Sequence, residues 1–477
     1  MCADPVLATN LNLKFGSIHG FETWIDNYLS KKKQEGPVVF LDSQLDGHPA
    51  SSFGYIASNP VSCMWYRQDP DNSGSIFEFI KSGNGTDACN LENPDFWFKR
   101  EESNPWEALK TYRKEHTDWM FGWLSYDLKN HTEALSSRNP DCIGLPDLFF
   151  FIPSGLLEVD RKNLCIRVLK GGNTDGFQRE DDSNSGQVNR AYVPGSRDSN
   201  DRISEAVLKS GEGWQEYCGK VRRIKEYIAR GDTYEVNFTH QLEGEFNSDS
   251  LVLFNKMRES GPVPFGAWIS LKGTDVSCAS PERFLKRRAH RIISQPIKGT
   301  SPRGANPQED LKIISNILNK EKNRAENVMI VDLVRHDLGK VAKTGTVTTD
   351  SLLDVQSFST VHQLVSTITA EVDPEMSSVD IIRECFPMGS MTGAPKIRTM
   401  EIIEELESYR RGLYSGAIGY FAPDDDFDFN VVIRTAIIKN DRLFYSVGGA
   451  ITSDSDPRDE WEESWLKSRA LPMNRMF

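Results

Sequence analysis

A lysine that follows a strand can act as a nucleophile, or it can be a solvated surface charge. Lys298 lies in "SQPIKGTSPR", directly after the strand-like run "HRIIS", and the Gly-Thr pair that follows it predicts a turn. An amine attacks carbon only when it is neutral. A catalytic lysine would therefore need a pKa lowered by burial or by nearby cations. The local sequence leaves both roles open.

Acidic residues at helical spacing form a candidate metal site. Glu460, Glu463 and Lys467 are separated by three and four residues, so they project from one face of a helix. Glu326 lies in "RAENVMIVDL", just before an apolar run, where a buried carboxylate would need a partner. Carboxylates from two helices, completed by water, form the kind of site that Mg²⁺ occupies. The alternative for the first three residues is a solvated charged stripe.

Cationic and glycine residues nearby suggest an anionic ligand. Arg434 follows the apolar run in "VVIRT", and a guanidinium at a strand end can hold a carboxylate through two hydrogen bonds. Gly448 and Gly449 end the strand-like "FYSVGGAIT", where backbone N–H groups could approach an anion. With Lys467 available for a second carboxylate, these residues fit a small molecule that carries two carboxylates.

Helices of the second half must position these groups. Apolar spacing predicts a helix over 214–230, and "NPQE" predicts another that opens at Asn306 and continues to about Gly339. A third begins at "TGAPK", with Pro395 near its start. A fourth begins at "DPRDE", where Asp456 can act as the N-cap. Strand-like segments in the first half include "GPVVFLDSQ" and "LPDLFFFIPSGLLEVD".

Composition narrows the class of protein. The 477 residues are 38% hydrophobic and 26% charged, with a formal charge of −13, which argues against nucleic acid or an anionic membrane as partner. No signal-like start and no apolar stretch of spanning length is present, and the eight cysteines are scattered, so we expect a cytoplasmic protein with free thiols. A β-rich region is predicted over 1–169, a linker or surface excursion over 170–202, and a catalytic domain over 203–477.

The order of several motifs resembles the chorismate-binding enzymes, a family that includes anthranilate, aminodeoxychorismate, isochorismate and salicylate synthases. The motifs that carry the resemblance are "SPERF", "QPIKGT", "RAENVMIVDL", "VHQLVSTI", "TGAPKIRTMEII", "YSGAIGY", "IRT" and "GGAI". The resemblance implies an α+β fold in which two large antiparallel β-sheets pack as a sandwich with outer helices.

Two positions indicate the reaction within the family. Members that add water have a lysine where this chain has Glu235 in "GDTYEVNF", which favours ammonia as the nucleophile. Lys298 in "PIKGT" resembles aminodeoxychorismate synthases, in which this lysine is taken to attack C2 of chorismate before ammonia enters at C4. The alternatives are an anthranilate synthase component I, which has a small residue at that position, and a catalytically inactive relative.

The remaining roles are implied residue by residue. Glu282 resembles the acid that protonates the leaving hydroxyl, and His362 the histidine near it, with a packed structural histidine as the alternative. Tyr414 and Arg434 match the pair that grips the enolpyruvyl carboxylate, and Thr300 matches a hydroxyl that contacts substrate. Gly448, Gly449 and Lys467 match the end held by Mg²⁺, for which Glu326 and Glu463 are direct ligands and Glu460 acts through water.

The family resemblance also implies partners. No stretch of the chain resembles a glutaminase, so we expect ammonia from a separate class I glutamine amidotransferase subunit. Relatives bind tryptophan in the N-terminal sandwich. Ser43 matches the usual serine of that site, but Ser52 stands where a larger basic residue is expected, so tryptophan binding stays open.

Overall fold

The computed structural model describes residues 12–43, 53–68, 74–80, 98–100, 104–171, 207–259, 261, 263–358 and 361–476. Most of the predicted linker and Ser52 lie outside these residues. In the described part, no helix is long and apolar enough to cross a membrane. Five of the described cysteines are free thiols, whereas Cys63, against the expectation, is disulfide-bonded.

The described chain forms 23 strands. Those of the first half are Asn12–Lys14 (β1), Val38–Asp42 (β2), Gly54–Gln68 (β3), Gly74–Ile80 (β4), Phe98–Arg100 (β5), Met120–Leu124 (β6), Leu148–Asp160 (β7) and Cys165–Lys170 (β8). Those of the second half are Val207–Ser210 (β9), Glu235–Glu245 (β10), Phe265–Leu271 (β11), Thr274–Ser280 (β12), Arg283–Arg288 (β13), Arg291–Gln295 (β14), Ile297–Pro302 (β15), Thr348–Ser357 (β16), Val361–Glu371 (β17), Gly393–Ala394 (β18), Ala417–Phe421 (β19), Phe427–Asn430 (β20), Thr435–Lys439 (β21), Arg442–Ile451 (β22) and Asn474–Met476 (β23).

Nine α-helices lie between these strands in the described ranges. They are Ile18–Glu35 (α1), Pro105–Glu115 (α2), Trp214–Ala229 (α3), Ser250–Glu259 (α4), Pro307–Asn319 (α5), Glu321–Gly339 (α6), Ser378–Cys385 (α7), Lys396–Leu406 (α8) and Pro457–Lys467 (α9). Short 3-10 helices cover Tyr126–His131, Gly389–Met391 and Ser468–Ala470. The predicted α+β class is confirmed.

The strands form two layers that share two long strands. β3 and β7 pair along their length, and both change their other partners beyond the shifted register at Pro60 and Pro153. The first layer includes β9, β10, β22, β21, β12, β11 and β2. The second includes β6, β19, β20, β13, β14 and β17, with β15 and β16 along β17. Hydrogen bonding is continuous through both layers.

Apolar side chains fill the space between the layers. One buried cluster joins Ala267 and Ile269 of the first layer to Phe121 and Trp123 of the second. Helices α3, α8 and α9 cover the outer face of the first layer, and α2, α6 and α7 cover that of the second. The sandwich with outer helices therefore buries apolar side chains both between the two layers and beneath the helices. Because β2 pairs with β11 and β6 with β19, chain from both halves builds both layers, and the predicted domain division stays a prediction.

The helix predictions are largely confirmed. Asn306 caps α5 by accepting from the Glu309 N–H at 3.0 Å, and Asp456 caps α9 by accepting from the N–H groups of Arg458 and Asp459. The single helix predicted from Asn306 to Gly339 is wrong. Lys320 has φ −67° and ψ 112°, an extended conformation, so the chain bends there between α5 and α6.

A buried ion pair fixes the loop that follows α8. Arg411, 1% exposed, donates to both carboxylate oxygens of Glu407, at 2.6 and 2.9 Å. It also donates to the carbonyl oxygens of Met391 and Asn237, each at 2.7 Å. The guanidinium thus fixes the loop after α8 against β10 and against the segment that precedes β18.

We expect Arg411→Ala to lower the free energy of unfolding by about 3–5 kcal/mol, since it would leave the Glu407 carboxylate buried without its partner. Chemical denaturation would measure this loss. Arg442→Ala is the control: Arg442 is 54% exposed and pairs with Glu243 at the surface, so its removal should cost about 1 kcal/mol or less. Equal costs for the two variants would contradict the role assigned to Arg411.

Candidate active site

Glu282 and Arg434 lie at two adjacent points where the chain crosses from one layer to the other. The chain passes from β12 in the first layer to β13 in the second through Glu282, and returns from β20 to β21 through Arg434. The crossings are tied together because the Val431 N–H donates to the Glu282 carbonyl at 3.0 Å, and Ala279 N–H donates to the Arg434 carbonyl at 3.0 Å. Residues far apart in the sequence therefore meet at one edge of the sandwich.

Arg434 stands at the start of a strand, and the prediction that it ends one is wrong. β20 ends at Asn430, and β21 begins at Thr435. Arg434 has φ 51°, a left-handed conformation that is costly for a residue with a side chain and is typical of functional sites. Burial lowers the pKa of its guanidinium, while Tyr445 and Glu282 act in the opposite direction. A partly buried guanidinium of this kind is suited to an anionic ligand.

Lys298 projects from a bulge, and the predicted turn is absent. Ile297 pairs with Val365 and Thr300 with Gln363, so β15 has one residue more than β17 over this stretch. Gly299, with φ 90°, takes the conformation that such a bulge requires. The extra residue frees Lys298 from the regular alternation of the strand and directs it toward β10.

The expectation of a lowered lysine pKa is also wrong. Lys298 Nζ lies 3.0 Å from Oε1 of Glu235, and the two side chains are 13% and 1% exposed. Burial alone would lower the pKa of Lys298. The carboxylates of Glu235, Glu326 and Glu282 outweigh it and raise that pKa above its ordinary value. Lys298 is therefore a buried ammonium group among carboxylates.

Glu282 has the properties of a general acid. Its side chain is buried, and burial raises its pKa to about 7. A hydrogen bond with Ser390, the positive charge of Lys298 and the Ile297 N–H oppose that rise. A carboxyl group with a pKa near neutrality can both give and regain a proton. Ser390 itself has no distinguishing sequence signal beyond its place in "FPMGSMTGAPK".

Glu460, Glu463 and Lys467 form a polar cradle around Gly449. A Cβ at Gly449 would lie 3.2 Å from Lys467 Nζ, 3.4 Å from a Glu460 oxygen and 3.7 Å from a Glu463 oxygen. Lys467 Nζ donates to Glu463 Oε1 and to the Gly448 carbonyl, each at 2.8 Å. Glu460 is buried and accepts from Ser455 Oγ at 2.6 Å. The solvated-stripe alternative therefore fails for Glu460, whereas Lys467 and Glu463 are 44% and 48% exposed.

The two glycines lie inside β22, so the prediction that they end a strand is wrong. Gly448 pairs with Thr239 and Gly449 with Phe238 of β10. A Cβ at Gly448 would stand 2.1 Å from the Phe238 carbonyl oxygen, which makes glycine obligatory there. At Gly449 the missing side chain instead leaves room beside the two carboxylates.

The predicted metal ligands do not come together as a set of three. In the part of the chain that the structure describes, no three acidic, histidine or cysteine side chains form a ready metal site. Glu326, on α6, contributes its charge to the surroundings of Lys298. Glu460 and Glu463 fit Mg²⁺ by their chemistry, because that ion binds one or two carboxylates and completes its shell with water and substrate. The contribution of Glu326 stays a prediction.

Three other predicted residues occupy different surroundings. Thr300 is exposed on β15, opposite Gln363. Tyr414 is buried, next to Ser415, whose N–H donates to the Val432 carbonyl beside Arg434. His362 is buried, with one ring nitrogen 2.8 Å from Ser357 Oγ and the other 3.0 Å from Asp310 Oδ1. Catalysis by His362 would require one of these contacts to break.

Ser43 lies away from these groups, in a second cavity. It shares a cavity of about 60 Å³ with Tyr55, Phe265, Tyr420 and Asn430, at the junction of the two layers. Its hydroxyl oxygen is buried and has no hydrogen-bond partner among the described residues. The position is compatible with a ligand, and the tryptophan prediction stays a prediction.

Comparison with known proteins matches this arrangement to one family. A family model described as chorismate binding enzyme matches residues 62–472. The aminodeoxychorismate synthase of Streptomyces griseus is 49% identical over 262 residues, which are 55% of this chain and 36% of that protein. Aminodeoxychorismate synthase component 1 of Escherichia coli K12 is 36% identical over 348 residues, 72% of this chain and 74% of that one. The chain thus spans little more than a third of the Streptomyces protein.

A solved structure gives the same fold. The crystal structure of anthranilate synthase component I from Streptococcus pneumoniae TIGR4 superimposes with a TM-score of 0.70. The match covers 90% of this chain and 94% of the other, at 24% sequence identity. At that identity the likeness supports the fold, and the reaction must be argued from the site.

Gly449→Ala should weaken Mg²⁺ binding about tenfold or more, because the new methyl group would occupy the space beside the Glu460 and Glu463 oxygens that the ion would need. Calorimetry of metal binding and the Mg²⁺ dependence of turnover would measure the effect. Gly219→Ala is the matched control, since a Cβ at Gly219 meets nothing within 4 Å. Unaltered metal binding in Gly449→Ala would exclude this cradle as the metal site.

Proposed function

Because the chain belongs to the family of chorismate-binding enzymes, we propose that it converts chorismate and ammonia to 4-amino-4-deoxychorismate. This is the reaction of the aminodeoxychorismate synthases, which supplies para-aminobenzoate and folate synthesis. The observation that carries the proposal is the ion pair of Lys298 with the buried carboxylate of Glu235, together with the charge of the acid Glu282 that acts on the same lysine. The 49% identity to the Streptomyces griseus relative supports the same reaction.

The chemistry divides between an amine and an acid. In its neutral form, Lys298 attacks C2 of chorismate while Glu282 protonates the departing C4 hydroxyl, which leaves as water. Ammonia then forms a bond to C4 and the bond from C2 to the lysine breaks, so the enolpyruvyl group is retained. A Glu282 pKa of about 7 suits this role, because the acid is still substantially protonated at neutral pH.

Two sets of residues would bind the two carboxylates of chorismate. Arg434, which is partly buried and has a left-handed backbone, would hold the enolpyruvyl carboxylate together with the buried Tyr414. Glu326 and Glu463 would bind Mg²⁺ directly, and Glu460 would act through a water. The metal would supply positive charge for the ring carboxylate and so favour loss of the hydroxyl. Thr300 would contact the substrate, and His362 would have a catalytic role near the leaving group.

Ammonia would come from a separate subunit. At neutral pH ammonia is mostly ammonium, so a glutaminase that delivers it directly increases its effective concentration. The Escherichia coli relative is named component 1, which supports a second component here. We propose a class I glutamine amidotransferase in that role.

We also propose a tryptophan site at Ser43 in the N-terminal region. If calorimetry detected no heat of tryptophan binding to the purified protein, this site would be excluded.

Two alternatives remain testable against this function. An anthranilate synthase component I would eliminate pyruvate from the same substrate, and Lys298 is the residue that argues against it. Against an inactive relative, every residue assigned to the metal, the carboxylate clamp and the nucleophile is present in the sequence.

The purified chain, given chorismate, Mg²⁺ and excess ammonium, should form 4-amino-4-deoxychorismate, identified by chromatography and mass spectrometry. Glutamine in place of ammonium should give no product without a partner subunit.

Lys298→Ala should lose at least about a hundredfold in turnover while it still binds chorismate, because the covalent step is removed.

Lys298→Arg is the matched variant, since it keeps a positive charge but cannot attack as a neutral amine. We expect it to be as inactive as Lys298→Ala. Anthranilate as the product would favour the first alternative, and unchanged turnover in Lys298→Ala would exclude covalent catalysis.

A further inference from the structure

The resting state of Lys298 poses a protonation problem. Its Nζ forms an ion pair with Glu235 at 3.0 Å, and the charges of Glu235, Glu326 and Glu282 together raise its pKa. The proposed attack on C2 requires the neutral amine. A group in contact with Nζ must therefore take the proton when the substrate is bound and water is excluded.

Only one of the surrounding groups is suited to this task. Glu282 must give its own proton to the leaving hydroxyl, and Glu326 is a predicted metal ligand. Arg434, which also faces Glu282, is a cation and accepts no proton. Glu235 remains, and its Oε1 lies 3.0 Å from Nζ, which is hydrogen-bond distance.

The second oxygen of Glu235 is available for a proton. Oε2 is buried and has no hydrogen-bond partner among the described residues, and the side chain as a whole is 1% exposed. Glu235 begins β10, where its backbone pairs with Ala394 of β18, so the carboxylate is held on regular structure. Its position facing the bulge of β15 leaves little freedom to turn away from Lys298.

We propose that Glu235 is a catalytic residue, the base that removes a proton from Lys298 and later returns it. The inference rests on the proposed function, because it concerns the covalent lysine step. Glu235 and the lysine exchange one proton, and no solvent molecule is needed.

The protons balance over the cycle. Lys298 gives a proton to Glu235 and its amine attacks C2, while Glu282 protonates the C4 oxygen, which leaves as water. Ammonia then bonds to C4, the C2–nitrogen bond to the lysine breaks, and the ammonia-derived nitrogen gives its extra proton to Glu282. Lys298 regains its proton from Glu235. Both carboxyl groups and the lysine end as they began.

Glu235→Gln tests the assignment through the pH dependence of turnover. In the wild type, the reactive and resting forms of the pair hold the same number of protons. In the variant, Lys298 must lose its proton to solvent. At pH 7 the turnover of the variant should therefore be about a hundredfold or more lower than that of the wild type, and the ratio of the two is followed as the pH is raised. It should rise tenfold per pH unit until Lys298 titrates. The ratio cancels the titration of Glu282 and the supply of free ammonia, which both enzymes share.

Two further variants separate a base from a positioning contact. Glu235→Asp keeps a carboxylate, so its ratio should be nearer to one and flat with pH. Glu243→Gln, on the same strand but 43% exposed and paired with Arg442, should match the wild type at every pH. Chorismate binding by calorimetry would show that each variant is folded.

The result that would overturn the inference is a ratio for Glu235→Gln that does not change with pH, or a variant as active as wild type at pH 7. The product of the wild type is identified in the same runs. If the wild type makes no 4-amino-4-deoxychorismate, the proposed function fails. If it does and the ratio is flat, only the role of Glu235 fails.

Discussion

The buried contact between Arg411 and Glu407 is the constraint on which the site geometry depends. Arg411 joins the carbonyl oxygens of Asn237 on β10 and Met391 before β18. It also lies 4.7 Å from the ring of Tyr126 as a cation–π contact. Two residues before Asn237 is Glu235, and one residue before Met391 is Ser390, which contacts Glu282. A single desolvated guanidinium thus fixes, through the backbone, the groups on both sides of Lys298.

The layer crossings explain how a stable sandwich carries such a charged site. Within each layer the backbone groups pair and the side chains face apolar neighbours. Where the chain crosses at Glu282 and Arg434, the backbone leaves its regular pairing, so polar side chains can converge. The left-handed backbone at Arg434 is a cost that the surrounding contacts must offset. The cost is confined to the edge, and the core between the layers remains apolar.

Local features were predictable from the sequence, and long-range ones were not. The caps at Asn306 and Asp456 were found because a cap depends on residues within one turn. The break at Lys320 was missed since Lys320 is a good helix former, and tertiary packing overrides its propensity. Gly448 and Gly449 are predicted from the sequence to end their strand, because glycine weakens a strand interior. Their pairing with β10, more than 200 residues away, leaves room for no other residue at Gly448.

The same limit applies to the site. Family resemblance singled out Lys298, Glu282 and Arg434, and the structure brings these three into one electrostatic environment. The sequence did not predict that the pKa of Lys298 is raised, because that shift depends on carboxylates from three separate parts of the chain. In the sequence, Glu235 is singled out only because the relatives that add water have a lysine at that position. Its contact with Lys298 arises from the bulge in β15, and no pattern in "PIKGT" by itself specifies the register with β17 that creates it.

Charge conservation gives the pairing of Lys298 with Glu235 its physical advantage. The substrate brings two carboxylates into a region that already holds those of Glu235, Glu282 and Glu326. If Lys298 lost its proton to solvent, the region would gain one more negative charge, at a high cost where water is excluded. Transfer to Glu235 changes an ion pair into two neutral groups and leaves the net charge the same. The raised lysine pKa then ceases to be an obstacle, since the same carboxylate that raises it by contact is the one able to remove the proton.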